Sequence, residues 1–396
     1  MIDRPSALNE IVRLTQELVR IRSVNPPGDE LPAAVFLAER LRSFGLEADS
    51  VDIGNNRGNV VATIRGSDES APAFMFNGHL DVVPAGEESA WERDPFCGEV
   101  VDGKVFGRGT SDMKGGVAAM SVAVALLLAS GRRFKGDIML TAVSGEESDS
   151  IGARHYVDHN SVEKVDAVVI PESTGLDLVV SEKGTIWLEF TTHGRTAHST
   201  QPHIGINALE HMIRLLTLGK EAWESVPYAK DPYLSPPTIN IATISAGVKT
   251  NSIPDRCVAT VDLRPVPSQR REEILAKIQG VLDRLKGEVP NFRAEMKVIN
   301  ERMPVATPVD AKLIRAASAL GPTVIGRELG YFGVNFFTDA AVFATKKQIP
   351  TLIMGPGEYD LQNNIYLGHQ PNEFVKVVNL EKAARFYYEL VNAYHQ

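Results

Sequence analysis

Five short runs rich in apolar and β-branched residues, at 59–64, 73–76, 137–143, 167–170 and 351–354, constrain this chain more than any other feature. Each has the length of a strand, and helical patterns at 31–44, 116–129 and 371–393 are interleaved with them. That alternation predicts an α/β architecture, a mixed and mostly parallel sheet flanked by helices. Between about 183 and 299 the texture changes. Segments 185–192, 239–244 and 257–263 read as strands, while 207–218 and 271–285 read as helices, a pattern that fits a smaller inserted α+β domain.

Size agrees with two domains, because 396 residues exceed the roughly 250–300 at which one hydrophobic core stops growing. A net charge of −9 argues against a nucleic-acid partner, whose binders usually carry a basic face. Cys97 and Cys257 form no CxxC pair, so any metal must be held by His, Asp and Glu. Asp3, Arg4, Glu10 and Arg13 interrupt the N-terminal pattern Ile11, Leu14, Leu18, Ile21, which therefore reads as an amphipathic helix and not a signal peptide. The longest apolar run, 117–129, is shorter than the ~20 residues of a membrane span. The expectation is a soluble, cytoplasmic protein with no membrane partner.

Polar residues stand at the ends of the apolar runs. His79 follows 73–76, Glu146 and Glu147 follow 137–143, and Glu172 follows 167–170, each just past the carboxyl end of an expected strand. Ligand sites of open α/β sheets lie along that edge. Asp112 sits in a glycine-flanked loop before the 116–129 pattern, and His369 precedes Pro371, a good first helical residue, so both are placed on helix-entry loops. Singly, Asp112 reads as a helix cap, Glu147 as a solvated charge and His79 as a hydrogen-bonded core histidine. Their convergence on one sheet edge suits a metal-dependent hydrolase instead.

Several segments resemble the M20 metallopeptidase family, in its acetylornithine deacetylase and succinyl-diaminopimelate desuccinylase group. They are Trp91-Glu-Arg-Asp-Pro-Phe96, Asp112-Met-Lys-Gly-Gly116, Gly194-Arg-Thr-Ala-His198-Ser-Thr-Gln-Pro202, Asn251-Ser-Ile-Pro-Asp255 and His369-Gln-Pro-Asn-Glu373, in the family's order along nearly the whole chain. The resemblance implies a zinc-exopeptidase-like catalytic domain holding two divalent ions, zinc or cobalt, bridged by Asp112. His79 and Glu172 would hold one ion, Glu147 and His369 the other. Glu146 resembles the general base that takes a proton from the metal-bridging water and passes it to the leaving amine. Its plainer reading is a second acidic neighbour of Glu147. Asp81 resembles the carboxylate that accepts the imidazole N–H of His79, with a turn cap as its alternative. His198, in the inserted segment, resembles the donor to the substrate carbonyl oxygen, often in the partner subunit's site, or else a surface histidine. Asn251 and Arg264 match positions where the family often binds substrate oxygen or carboxylate, although an exposed strand arginine is common.

Glutamate at position 172 goes, in that family, with deacylases and carboxypeptidases. Glu182, in Ser181-Glu-Lys-Gly184, departs from the desuccinylase pattern and would repel a succinyl carboxylate, with Lys183 partly compensating. The expected protein is a homodimeric hydrolase of a small N-acylated amino acid. Its catalytic domain would comprise 1–182 and 301–396, and 183–300 would be a lid and dimerisation domain whose exposed strand edge pairs across a two-fold axis. A metallo-dipeptidase or carboxypeptidase is the alternative within enzymes. A metal-dependent binding protein without catalysis is the alternative outside them.

Overall fold

The computed structural model describes residues 4–344, 348–363 and 365–395. Asp3 lies outside them, and Arg4–Arg20 forms the first helix, burying Ile11, Leu14 and Leu18 at helical spacing. The chain divides into two compact units. One comprises Met1–Val180, Ala306–Gly333 and Thr338–Gln396, the other Ser181–Val305 with the short return Val334–Phe337. The sequence placed these divisions at 182/183 and 300/301 and did not anticipate the return.

The first unit is built on a mixed sheet in which Ile138–Val143, Ala73–His79, Val165–Ile170 and Thr351–Ile353 lie side by side in parallel. Glu47–Gly54 and Arg57–Ile64 add an antiparallel hairpin at one edge, and Leu178–Glu182 pairs antiparallel beyond Thr351–Ile353. The hairpin turn uses Asn55 and Asn56, both at positive φ, which asparagine tolerates better than most residues. Every residue of Ala73–His79 is buried, as expected of a strand covered on both faces. The helix Gly115–Ala129 is apolar all round and correspondingly buried. A Cβ on Gly116 would fall 2.1 Å from the Pro171 carbonyl oxygen, so this glycine lets the helix lie against the chain that carries Glu172. The described segment long and apolar enough to cross a membrane, Thr110–Ala129, is 83% buried inside the protein.

One expected helix begins later than its sequence suggests. Residues 371–393 read as helical from Pro371, but Phe374–Lys376 is a strand paired with Lys104–Phe106, and the helix runs Val377–Tyr394. Pairing against Phe106, whose ring lies 5.6 Å from that of Phe374, overrides the local helix-start signal. His369 therefore lies ahead of a short strand, not on a helix-entry loop. Asp112 does precede a helix, in an extended conformation (φ −123°, ψ 99°) with a cis peptide to Met113.

In the second unit four antiparallel strands are ordered Thr238–Ala246, Arg256–Arg264, Thr185–His193 and Arg293–Arg302. The helices Ala208–Glu224 and Arg271–Glu288 share a core with this sheet. Cys257, Ala259, Val261 and Leu263, every second residue of one strand, meet Met212, Leu215, Ile274 and Ile278 there. The strand Arg293–Arg302 escaped the sequence reading because its outward positions, among them Glu295 and Lys297, are charged and its apolar residues are few.

Candidate metal centre

Parallel pairing carries three chain ends to one side of the first unit's sheet. His79 is the last residue of its strand, Glu146 and Glu147 lie in the turn after Ile138–Val143, and Glu172 is two residues beyond Val165–Ile170. Two groups of ligating atoms result. Those of His79, Asp112 and Glu172 lie within 4.8 Å of one another, and so do those of Asp112, Glu147 and His369. Asp112 belongs to both, its Oδ1 lying 3.0 Å from His79 Nε2 and its Oδ2 3.1 Å from His369 Nε2. Glu172 Oε1 stands 3.3 Å from His79 Nε2, and Glu147 Oε1 3.0 Å from His369 Nε2. A tetrahedral ion with ligands at about 2.0–2.1 Å would hold neighbouring donors roughly 3.3 Å apart, close to these separations.

The electrostatics point the same way. Burial, with the Asp112 charge adding to it, pushes Glu172 up to about 8 and Glu147 up to about 7. Burial opposes charge on His369, but Asp112 and Glu147 overcome it and lift the imidazole to about 11. Against the same opposition, Glu172 and Asp112 hold His79 well above its ordinary value. Burial alone would raise Asp112, yet its bonds to His369 and His79 keep it well below the usual carboxylate range. Burial sends Glu146 well above that range; His79 opposes the shift while Asp339, Glu172 and Glu147 add to it. A cluster of buried carboxylates this short of positive charge is suited to divalent cations, and its imidazole and carboxylate donors fit two of them.

Around the ligands lies a layer of hydrogen bonds that sequence spacing did not reveal. The expected bond from the His79 imidazole to the Asp81 carboxylate is not the short one: Nδ1 is 2.9 Å from the Asp81 main-chain oxygen and 3.6 Å from Oδ1. The carboxylate itself accepts the main-chain N–H groups of Gly145, Glu146 and Glu147 and the Asn25 amide, between 2.8 and 3.1 Å. It thus caps the turn that carries Glu146 and Glu147. Tyr366, unmarked in the sequence reading, donates its hydroxyl to Asp112 Oδ2 and sets its ring edgewise to that of His369. Glu373 accepts the N–H groups of Gly109, Ser111 and Asp112. Of these, Asp81 was an expected site residue and Glu373 closes a recognised motif, whereas Tyr366 carried no signal in the sequence.

The three remaining expected site residues belong to the second unit. His198 is exposed, with its Nδ1 2.8 Å from the Thr200 hydroxyl and 3.3 Å from the Thr200 main-chain nitrogen, and its Nε2 on the other side of the ring. The Asn251 side-chain amide stands 3.4 Å from that Nε2, so these two expected residues are neighbours. Arg264 ends its strand with Nε bonded to Asp262 Oδ2 at 2.9 Å and its guanidinium against the Phe337 ring. Lys183 donates to Ser235 Oγ and the Pro236 carbonyl, and Glu182 is only 1% exposed.

A parallel-centred α/β sheet with two metal-ligand groups sharing one aspartate at its carboxyl edge defines a metal-dependent hydrolase. Residues 75–393 match Peptidase family M20/M25/M40, and the chain belongs to that family, whose relatives mark it as a metal-dependent amide hydrolase. A probable succinyl-diaminopimelate desuccinylase of Staphylococcus aureus (strain Mu50 / ATCC 700699) is 26% identical, covering 94% of this chain and 96% of its own length. The succinyl-diaminopimelate desuccinylase of Alkalilimnicola ehrlichii is 29% identical over 96% of this chain and 98% of that protein. Among solved structures, an M20 family metallo-carboxypeptidase from Sulfolobus solfataricus superposes with a TM-score of 0.78 at 20% identity, covering 97% of this chain and 99% of that one.

Proposed function

We propose that this protein is a dinuclear-metal amidohydrolase that cleaves the amide bond of a small N-acylated amino acid, working in the cytoplasm as a homodimer. The observation that carries the reading is Asp112, whose two carboxylate oxygens each face the imidazole of a different ligand group. Zinc is the ion the donor set favours, with cobalt as a second choice. Two such ions would polarise the substrate carbonyl and acidify water.

Glu146 is the residue next to the ligand Glu147 and is 7% exposed. Its carboxylate takes the proton of the attacking water and hands it to the departing nitrogen. A ligand for metal alone would need no such second carboxylate, which separates an enzyme from a binding protein on the same scaffold. His198 donates to the carbonyl oxygen as charge develops there, and Asn251 beside it adds a further polar contact. Arg264 offers its guanidinium to a substrate carboxylate.

Both desuccinylase relatives act, by their names, on an N-succinyl amino acid, which supports the N-acyl class. Glu182 is buried and presents no open carboxylate to repel a succinyl group. Amine release from N-acetyl and N-succinyl amino acids and from dipeptides, using chelator-treated protein with and without zinc or cobalt, tests the proposal. Metal-restored hydrolysis of acylated amino acids supports it. Cleavage of dipeptides alone turns it into a peptidase, and metal binding without hydrolysis leaves only a binding protein.

A further inference from the structure

Glu373 is 1% exposed and lies four residues after His369, far from Asp112 in sequence. Its Oε1 accepts three main-chain N–H groups from one loop, those of Gly109 (3.0 Å), Ser111 (2.8 Å) and Asp112 itself (3.0 Å). Its Oε2 takes the Arg108 guanidinium at 2.5 Å, and both side chains of this pair are almost wholly buried. The Glu373 main-chain oxygen also accepts the Gly107 N–H at 2.9 Å. Convergent N–H groups of this kind form a concave anion seat, which a carboxylate fills and an apolar side chain leaves unpaired.

We infer that Glu373, held by Arg108, is a positioning residue: it fixes the loop that presents Asp112 and so sets the separation of both metal ions at once. The inference rests on the dinuclear reading above. A ligand displaced by a few tenths of an ångström leaves the bonding range of an ion, and Asp112 is shared, so loosening its loop weakens both ions. Loss of His369 would weaken one.

Two double variants separate this role from general folding. R108M/E373Q and R108M/E373M both remove the buried ion pair, but only the glutamine keeps an oxygen for the three N–H groups. Zinc affinity is read by competition with a chromophoric chelator, and the metal-free melting curves serve as the control for folding. The glutamine variant is expected to hold two zinc ions within a few-fold of the unmodified protein, and the methionine variant to bind both about 10–100-fold more weakly. Equal affinity in the two doubles overturns the inference. Should the methionine double not fold, E373D, which keeps the charge beside Arg108 but shortens the reach to the seat, carries the same expected loss, and unchanged affinity there overturns the inference too. Failure of the unmodified protein to bind two ions would instead refute the dinuclear reading itself.

Discussion

The Asp81 carboxylate is bonded to the main chain of Glu146, Oδ1 accepting its N–H at 3.1 Å together with that of Gly145 at 2.9 Å. One residue thereby ties the strand end carrying His79 to the turn carrying the proposed proton carrier. Its main-chain oxygen faces the imidazole Nδ1 at 2.9 Å, while its side chain caps the turn. In D81N the NH2 must replace one of the two oxygens, and the pair of donors on that side, Gly145 and Glu146 or Glu147 and Asn25, loses its acceptor. The expected result is a 10–100-fold loss in turnover or zinc affinity, the range found for residues behind metal ligands. Steady-state kinetics and chelator competition measure it; an unaltered D81N would reduce Asp81 to an ordinary turn cap.

Glu146→Gln keeps shape, burial and neighbours but removes the base. We expect both metal ions and KM to be retained and kcat to fall by about 10²–10⁴. Metal content by elemental analysis and initial rates decide the matter. A variant with undiminished kcat would take Glu146 out of the proton path.

Metal removal should cost stability as well as activity. The three ligand carboxylates Asp112, Glu147 and Glu172 lie within two groups of atoms 4.8 Å across, and taking cations away leaves like charges buried together. Ions bound at a thousandfold excess over their Kd contribute about 4 kcal/mol to the folded state. Differential scanning fluorimetry of chelator-treated protein should therefore show a midpoint several degrees below that of zinc-reloaded protein. Identical midpoints would indicate that the cluster holds no ion of consequence.

His198→Ala is expected to behave differently from the ligand variants, because His198 lies in the second unit, where it contacts Thr200 and Asn251, and the ligand residues lie in the first. Turnover should drop about 10²–10³-fold, the effect of losing one donor to a developing oxyanion, with zinc stoichiometry unchanged. A metal-depleted H198A would move this histidine into the metal centre.

Much of this candidate site was legible in the sequence because three of the proposed ligands, His79, Glu147 and Glu172, and the proposed base Glu146 follow apolar runs, and strand ends in a parallel sheet collect on one edge. Asp112 was legible from its glycine-flanked loop. What escaped has a common physical origin in contacts between residues far apart along the chain. Asp81 meets Gly145 across 64 positions and Glu373 meets Asp112 across 261, with no periodicity to announce either. Tyr366 reads as an ordinary strand aromatic. At Pro371 a real local signal for a helix start was outweighed by strand pairing at Phe374–Lys376. Local rules failed there because a tertiary partner supplied the hydrogen bonds the helix would have made.

The strand Thr238–Ala246 stands at the end of its sheet's order with most of both faces exposed, Ile241 at 42% and Ile244 at 49%. An unpaired edge of nine residues bearing bare isoleucines invites another strand, and natural edges that stay single usually carry charges or proline. This one has neither, since its sequence is Thr-Ile-Asn-Ile-Ala-Thr-Ile-Ser-Ala. A second copy of the same strand, related by a two-fold axis, would satisfy its open N–H and C=O groups and cover the isoleucines on both chains. Light scattering after gel filtration should give twice the 43.2 kDa chain mass for the unmodified protein. Placing a lysine on the edge with I244K brings two like charges to the proposed axis and should shift the population to monomer, while zinc binding persists. An unmodified protein that elutes as a monomer, or an I244K variant as dimeric as its parent, would remove this edge as the site of assembly.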